Sequence, residues 1–354
     1  MKVNILVWVL AVGCILGSCK ANRNATAKND LEEKETSDAE AFTIAFGSCN
    51  KTSIKNFLWD DIIALEPDLW IWGGDNIYAD TEDIQKLQQL YGAQKGLKGY
   101  RELRAAIPVI GTWDDHDYGV NDGGSEFPVK KESQQAFLDF MDVPMDSPRR
   151  TQEGIYTSHE YRLPDGRVKV IVLDTRYFRT PLTLDTVTVK RTKSNAYGDG
   201  TILGDKQWEW LTKELNASDA NFNVIVSSIQ VLSNEHGWET WGNFPHEVDR
   251  LKKTIADSGA AGVLILSGDR HISEFSQTSV ADLDYPLVDF TSSGLTHAVS
   301  NFKGEPNPFR VGSVVSDESF GLLRFDFLNN TVSMKMIGDN GQTLHELDRS
   351  YGGK

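Results

Sequence analysis

Short apolar runs recur along the chain, and each is a candidate buried strand. These runs lie at residues 42–46, 69–72, 108–111, 223–228 and 263–267. Segments with helical periodicity or composition lie between them, at residues 55–65, 82–106, 131–141, 203–215 and 245–258. Gly92, Gly96 and Gly99 are expected to break the second of these helical segments. The alternation of strands with helices predicts an α/β protein.

Antiparallel hairpins are predicted at two further places. Residues 155–163 and 167–173 flank a Pro-Asp-Gly turn, and residues 321–327 and 331–337 flank Asn329-Asn330. Another strand is expected at 287–292, and the long segment 175–201 reads as a functional or mobile loop. Hairpins attached to an alternating core predict an α/β fold built as a four-layer α/β/β/α sandwich of two mixed β-sheets.

The first forty residues lack the alternation of strand and helix patterns and instead have the composition of a targeting segment and a tether. Residues 1–18 combine Lys2 with an apolar stretch that is too short to span a bilayer, which predicts a signal peptide. Residues 16–19 resemble a bacterial lipobox, so Cys19 is the predicted lipidation site; the alternative is an ordinary secretory signal with a chance cysteine. Residues 19–40 are polar and aperiodic and predict a disordered tether, followed by one folded domain at 41–354.

The charge and the cysteine content of the chain limit which classes of function are expected. The 354-residue chain carries a formal net charge of −15, which argues against a general nucleic-acid binder because such proteins neutralise phosphates with basic residues. Of the three cysteines, Cys14 lies in the predicted signal peptide and Cys19 at the lipidation site. Only Cys49 remains in the predicted domain, so it has no disulfide partner there.

Three polar strings follow three of the predicted strands. They occupy residues 74–80, 113–117 and 268–271, and all of them contain Asp. Parallel strands of an open sheet end at one edge, where ligands bind. Carboxylates and imidazoles are metal ligands, so the pattern predicts a metal-dependent hydrolase.

Asp75 is the predicted bridge between two metal ions, since two-metal hydrolases use such a shared carboxylate. A helix-capping Asp is the alternative, which the other two strings disfavour. Tyr78 and Cys49 would complete an anionic ligand set that suits ferric iron better than magnesium or calcium. Zinc would also accept Cys and His, and Cys49 alone could be a small buried hydrophobe.

Asp115 and His116 are adjacent, and on an extended segment their side chains would point in opposite directions. Asp115 is therefore assigned to the second metal and a catalytic role, and His116 to general acid catalysis or stabilisation of phosphoryl oxygens. Asp114 and Asp117 are expected to hold the turn or orient the imidazole.

Asp269 and His271 are separated by one residue, so on an extended segment they would share a face. Both could then act as ligands, one to each metal.

These strings resemble the PhoD-like alkaline phosphatase D family, within the calcineurin-like metallophosphoesterases. The resemblance extends from about residue 42 to 337 and rests on residues 47–49, 74–80, 112–117, 173–179, 203–208, 241–245 and 267–271. The wider superfamily has Asp-x-His at the first strand end, where this chain has Gly47-Ser48-Cys49. Relative to longer relatives, a separate N-terminal β-domain is not expected, which leaves substrate preference open.

The resemblance implies one ferric iron and one or two calcium ions, with zinc or manganese fitting less well. The implied iron ligands are Cys49, Asp75, Tyr78 and His271. The implied calcium ligands are Asp75, Asp115 and Asp269, with Asn121 as a candidate additional ligand. Arg176 is expected to contact the substrate phosphate; a salt-bridging arginine at the surface is the alternative.

The expected protein is an exported, lipid-anchored alkaline phosphatase or phosphodiesterase that uses metal-activated water, acts as a monomer and binds no nucleic acid. Its expected substrate is a small phosphate ester or a phosphorylated polymer or lipid. Its expected location is the periplasm, the outer membrane or the cell surface. The rival hypothesis is a non-catalytic lipoprotein that binds phosphorylated glycans or lipids, which the complete ligand set disfavours.

Overall fold

The computed structural model describes residues 41–352. The predicted signal peptide, the lipidation site Cys19 and the tether lie outside the described residues, so they stay predictions. Within residues 41–352, no helix combines the length and the hydropathy that crossing a membrane requires.

The described residues form fifteen strands and seven α-helices. The strands are β1 (Phe42–Gly47), β2 (Leu69–Gly73), β3 (Val109–Thr112), β4 (Thr157–Leu163), β5 (Gly166–Val172), β6 (Thr183–Leu184), β7 (Thr192–Lys193), β8 (Phe222–Val226), β9 (Val263–Ser267), β10 (Ser273–Thr278), β11 (Leu287–Ser292), β12 (Arg310–Val315), β13 (Phe320–Asp326), β14 (Thr331–Ile337) and β15 (Thr343–Ser350). The helices are α1 (Trp59–Ala64), α2 (Ile84–Gly96), α3 (Lys98–Ala106), α4 (Asp115–Tyr118), α5 (Lys130–Phe140), α6 (Gly204–Asn216) and α7 (Pro245–Ser258).

Two large sheets, each with parallel and antiparallel pairs, form the centre. The first has the order β15-β14-β13-β1-β2-β3, and the second β12-β10-β11-β9-β8-β5-β4. Strands β1, β2 and β3 run parallel, as do β5, β8, β9 and β11. The parallel strands of each sheet therefore bring their carboxyl ends to one edge.

Alternating side chains divide the core into three apolar layers, as strand geometry requires. Ile44 of β1 and Val224 of β8 belong to the layer between the two sheets. Trp70 and Trp72 of β2 face the other way and pack with helices α1 to α3 and α5. Ile225 of β8 packs with α6 and α7 on the outside of the second sheet. The predicted four-layer α/β/β/α sandwich of two mixed sheets is therefore confirmed.

Several elements differ from the sequence prediction. Helix α1 begins only at Trp59 instead of residue 55, because Asn56 Oδ1 accepts a hydrogen bond from the Leu58 backbone N–H at 2.9 Å and forms a turn there. The segment 82–106 divides once, at Leu97, and Gly92 lies inside α2. Strands β10, β12 and β15 were not predicted. Strand β10 pairs with β11 and β12, and β15 pairs with β14; these pairings define the three strands, and local periodicity does not encode them.

Candidate metal centre

The carboxyl ends of β1 and β2 turn sharply and meet the loop after β9. Cys49, Asp75, Asp269 and His271 all adopt left-handed backbone conformations, with φ of 60°, 51°, 67° and 53°. The Cys49 backbone N–H donates to the Gly74 carbonyl at 3.3 Å, which ties the first two loops together. Such strained positions in non-glycine residues are typical of functional sites.

The first group of candidate ligands contains Cys49, Asp75 and His271, whose ligand atoms lie within 4.8 Å of one another. The Tyr78 hydroxyl joins this group, 3.2 Å from Asp75 Oδ2 and 3.1 Å from His271 Nε2. Burial and the neighbouring His297 lower the pKa of His271 to about 3, which leaves the neutral imidazole that ligates metals. The structure thus brings together all four side chains that the resemblance assigned to iron.

The second group contains Asp75, Asp114, Asp115 and Asp269, again within 4.8 Å of one another. Burial raises the pKa of Asp269 to about 7, and burial together with Asp115 raises that of Asp75. Asp114 Oδ2 and Asp115 Oδ1 are buried and have no hydrogen-bond partner. Crowded carboxylates with unpartnered oxygens are what a bound cation would stabilise, so these residues fit a metal ion.

Asp75 belongs to both groups and so occupies the position predicted for a bridging ligand. A further cluster of Asp115, Asp122 and Glu239 adjoins the second group. Asp122 also donates its backbone N–H to Asp115 Oδ2 at 2.6 Å. The sequence prediction missed Asp122 and Glu239, because neither stands in a strand-end motif.

His116 is oriented by a residue that the sequence analysis did not select for this role. Its Nδ1 lies 2.8 Å from Asp80 Oδ1. Of the two roles expected for Asp114 and Asp117, they hold the turn, because their side chains form a capping box at the start of α4. Burial alone would lower the pKa of His116, but the Asp80 hydrogen bond and the charge of Asp115 outweigh it and raise the pKa.

The expectation of an extended segment at Asp115 and His116 is also wrong. Both residues lie in the short helix α4, where neighbouring side chains do not point in opposite directions. His116, Asp115 and Asp75 have ligand atoms within 4.8 Å of one another, so the argument that excluded a shared ion fails. Asp269 and His271 are not extended either, yet they fall in different groups, one beside each candidate ion position.

Arg176 was expected to contact the substrate phosphate, but it does not line the cavity beside the two groups of candidate ligands. Its side chain is fully buried. Its Nε donates to Asp114 Oδ1 and its Nη1 to Glu239 Oε2, each at 2.6 Å. Arg179 also pairs with Glu239, at 2.8 Å. Arg176 therefore stabilises the acidic cluster through ion pairs and does not line the cavity. This matches the salt-bridge alternative, except that the ion pairs are buried and not at the surface.

The groups open into a cavity of about 310 Å³. Asp115, His116, Asp269 and His271 line it, and exposed Asn121 lies on its wall, so its role as an additional ligand stays a prediction. A larger cavity of about 500 Å³ near Leu58 contains none of the predicted ligands.

Two further residues support the first group from the loop after β11. Ser293 Oγ donates to Cys49 Sγ at 3.0 Å and accepts from the His271 backbone N–H at 2.7 Å. The ring of His297 lies 4.4 Å from that of His271 and 5.1 Å from that of Tyr78. No sequence motif marked either residue. The loop reaches the site because β11 pairs in parallel with β9 and antiparallel with β10.

Solved structures with this fold include phosphatases. The chain is similar to a structure of PhoD, with a TM-score of 0.68 and 17% identity over 88% of this chain and 68% of that chain. A dimetal phosphatase from Danio rerio matches with a TM-score of 0.56 and 12% identity, over 88% of this chain and 99% of that one. GAP50, the anchor in the inner membrane complex of Plasmodium, matches with a TM-score of 0.58 and 14% identity, over 89% and 90% of the two chains.

Sequence comparison identifies the family of the chain, whereas the structural matches show only its fold. Alkaline phosphatase D of Bacillus subtilis is 25% identical over 242 residues, which are 60% of this chain and 40% of that protein's length. The PhoD-like phosphatase family model matches residues 44–307. That match runs from β1 through the loop after β11 and includes every predicted metal ligand. The chain therefore belongs to the PhoD-like phosphatase family, as its strand-end motifs predicted.

Proposed function

We propose that the protein is a metal-dependent phosphoesterase that hydrolyses phosphate esters. The observation that supports this best is the position of Asp75, whose carboxylate lies within 4.8 Å of ligand atoms in both groups of candidate ligands. A carboxylate shared in this way suits a two-metal site, whose ions sit about 3.5–4 Å apart. When bound, the two cations supply a nucleophile from water and offset the negative charge of the phosphoryl oxygens.

His116 is the proposed general acid. Asp80 accepts the hydrogen bond from Nδ1, so Nε2 is the nitrogen that carries the transferable proton. His116 also lines the cavity, where a leaving alkoxide would take that proton. Asp80 is a positioning residue, because it acts through the imidazole and not on the substrate.

We infer that the first group holds ferric iron and the second one or two calcium ions. Thiol, phenol, carboxyl and imidazole side chains together make the anionic and strongly donating set of Cys49, Asp75, Tyr78 and His271. The second group offers carboxylates alone, which suit a hard cation such as calcium. Metal analysis of the purified protein tests this assignment, and zinc in both positions would contradict it.

Hydrolysis of para-nitrophenyl phosphate and of bis-para-nitrophenyl phosphate tests the proposed activity and the preference between monoesters and diesters. Activity should depend on calcium, disappear with a chelator and return when metal is restored. The Asp75→Ala variant is the negative control. Metal-loaded protein that hydrolyses neither ester would contradict the proposal.

The alternative is a binding protein that uses the same fold without catalysis. One structural neighbour, GAP50, is described as an anchor in Plasmodium. The complete set of grouped ligands around Asp75 favours the enzyme, because a binding protein needs no shared carboxylate. Tight binding of a phosphorylated glycan or lipid without turnover would favour the alternative.

We also propose that the protein is exported, lipidated at Cys19 and monomeric. The support for the anchor is the signal-like sequence at residues 1–18 and the lipobox-like residues 16–19. Cys19→Ser should release an active enzyme into the soluble fraction with unchanged catalytic constants. Continued membrane association of that variant would contradict lipid anchoring at Cys19.

A further inference from the structure

Arg270 lies between two predicted ligands, Asp269 and His271, and lines the same cavity. Its side chain is only 10% exposed. The Nη2 group donates to both carboxylate oxygens of Glu305, at 2.8 and 2.7 Å. The Nε group is buried and has no hydrogen-bond partner. Since burying a donor without an acceptor is costly, the guanidinium keeps donor capacity that Glu305 does not use, at a residue that lines the cavity.

Neighbouring side chains hold the Arg270 guanidinium in place. Its central carbon lies 5.4 Å from the centroid of the Trp238 ring. Trp238 Nε1 in turn donates to Glu305 Oε1 at 3.2 Å. Stacking on one side and the Glu305 ion pair on another restrict the guanidinium plane, so its unpartnered N–H is preorganised.

The other arginines near the site are less suited to bind an anion. Arg176 and Arg179 are fully buried and are paired with Asp114 and Glu239. Arg191 also lines the cavity, but its side chain is 44% exposed and pairs with Asp122 at 2.5 Å. An exposed ion pair of this kind contributes little and holds its geometry weakly.

We propose that Arg270, rather than Arg176, binds a non-bridging oxygen of the substrate phosphate through its guanidinium; this rests on the proposed function. The cavity is otherwise rich in carboxylates, which repel a phosphate. A preorganised guanidinium beside them offsets this repulsion and orients the phosphoryl group relative to Asp269 and His271. Arg270 therefore determines affinity for phosphate esters, and the Glu305 carboxylate positions it.

The test uses inorganic phosphate as a probe, so that binding is measured without turnover. Titration calorimetry on the full-length, metal-loaded protein compares wild type with Arg270→Gln and Arg270→Lys. Arg270→Gln should weaken phosphate binding by about 10- to 100-fold, the range for a hydrogen bond to a charged group. KM for para-nitrophenyl phosphate should rise by a similar factor while metal content and melting temperature stay at wild-type values. Arg270→Lys should recover part of the affinity.

Arg162→Gln is the matched control, because Arg162 is exposed and forms an ion pair with Glu160 outside the cavity. It should leave phosphate binding unchanged. An unchanged dissociation constant in Arg270→Gln, or a loss of affinity that merely follows loss of metal, would overturn the inference. A larger effect in Arg191→Gln than in Arg270→Gln would also overturn it.

The same measurements separate this inference from the proposed function. If wild type binds phosphate through Arg270 but hydrolyses neither test ester, the proposed function fails and the inference stands. If wild type hydrolyses the esters and Arg270→Gln matches it in phosphate affinity and KM, the inference fails and the proposed function stands.

Discussion

Nδ1 of His116 lies 2.8 Å from Oδ1 of Asp80, although the two residues belong to different strand-end motifs. The Asp80 backbone N–H also donates to the His116 carbonyl, at 3.3 Å. These two contacts fix the loop after β2 against helix α4. They leave Nε2 of the imidazole as the nitrogen available for proton transfer.

We expect Asp80→Asn to lower turnover by about 10- to 100-fold, the usual effect of removing a partner that orients a functional histidine. His116→Gln should cost more, about 10²- to 10⁴-fold, since it removes the acid itself. Both variants should retain metal. Steady-state kinetics with para-nitrophenyl phosphate and elemental analysis of the same preparations check this. An Asp80→Asn enzyme with full turnover would refute the positioning role.

Asp75→Ala should remove bound metal and activity together, because its carboxylate is shared by the two groups of candidate ligands. The exposed carboxylate of Asp205 provides a control, and Asp205→Ala should match wild type. Elemental analysis after gel filtration measures the metal content. Retention of both metals by Asp75→Ala would mean that another residue forms the bridge.

The purified protein should be coloured, because phenolate and thiolate ligands transfer charge to ferric iron and absorb visible light. Tyr78→Phe should shift or weaken the absorption band, whereas Tyr156→Phe, outside the site, should leave it unchanged. Visible spectroscopy on metal-loaded protein is sufficient for the comparison. A colourless and fully active preparation containing stoichiometric zinc would rule out the iron assignment.

Arg176→Met should destabilise the fold by about 3–5 kcal/mol, because it leaves the buried Asp114 carboxylate without its ion-pair partner and leaves Glu239 with Arg179 alone. Arg162→Gln breaks an exposed pair and should change stability by less than about 1 kcal/mol. Urea unfolding of the two variants gives the comparison. Unchanged stability in Arg176→Met together with a raised KM would restore Arg176 as a substrate contact.

His159 in β4 should make stability depend on pH below neutrality. Burial, with a contribution from Arg149, lowers its pKa to about 4. The unfolded chain takes up the proton first, near pH 6.5, so stabilisation present above that value is lost as pH falls towards 4. The expected loss is about 2 kcal/mol by about pH 5. His159→Gln should flatten this slope in urea unfolding, and an unchanged slope would contradict the assignment.

The strands at the centre of each sheet were predictable from local sequence alone. Those such as β2 and β9 are buried on both faces, so they appear as continuous apolar runs that need no knowledge of their neighbours. The polar strings at their ends were predictable for the same reason. Parallel strands deliver their ends to one edge, so Cys49, Asp75 and Asp269 could be grouped before any contact was known.

Edge elements and supporting contacts were not predictable in this way. Strand β12 is largely exposed or half-buried, so its residues show no clear apolar pattern, and its pairing with β10 defines it. Helix α4 has only four residues, and the side-chain caps of Asp114 and Asp117 stabilise it more than any helical periodicity does.

The sequence by itself determined the layered fold and the residues that could hold metal. Buried strands appear as local runs of apolar residues, and the polar residues at their ends can be located in the same way. Only the tertiary structure decided what each charged side chain does. Arg176 forms a buried ion pair because Glu239, far along the chain, folds against it. Arg270 kept an unpartnered N–H because Glu305 engages only its other end. The role of an arginine depends on which charges folding places beside it, and those partners are distant in sequence.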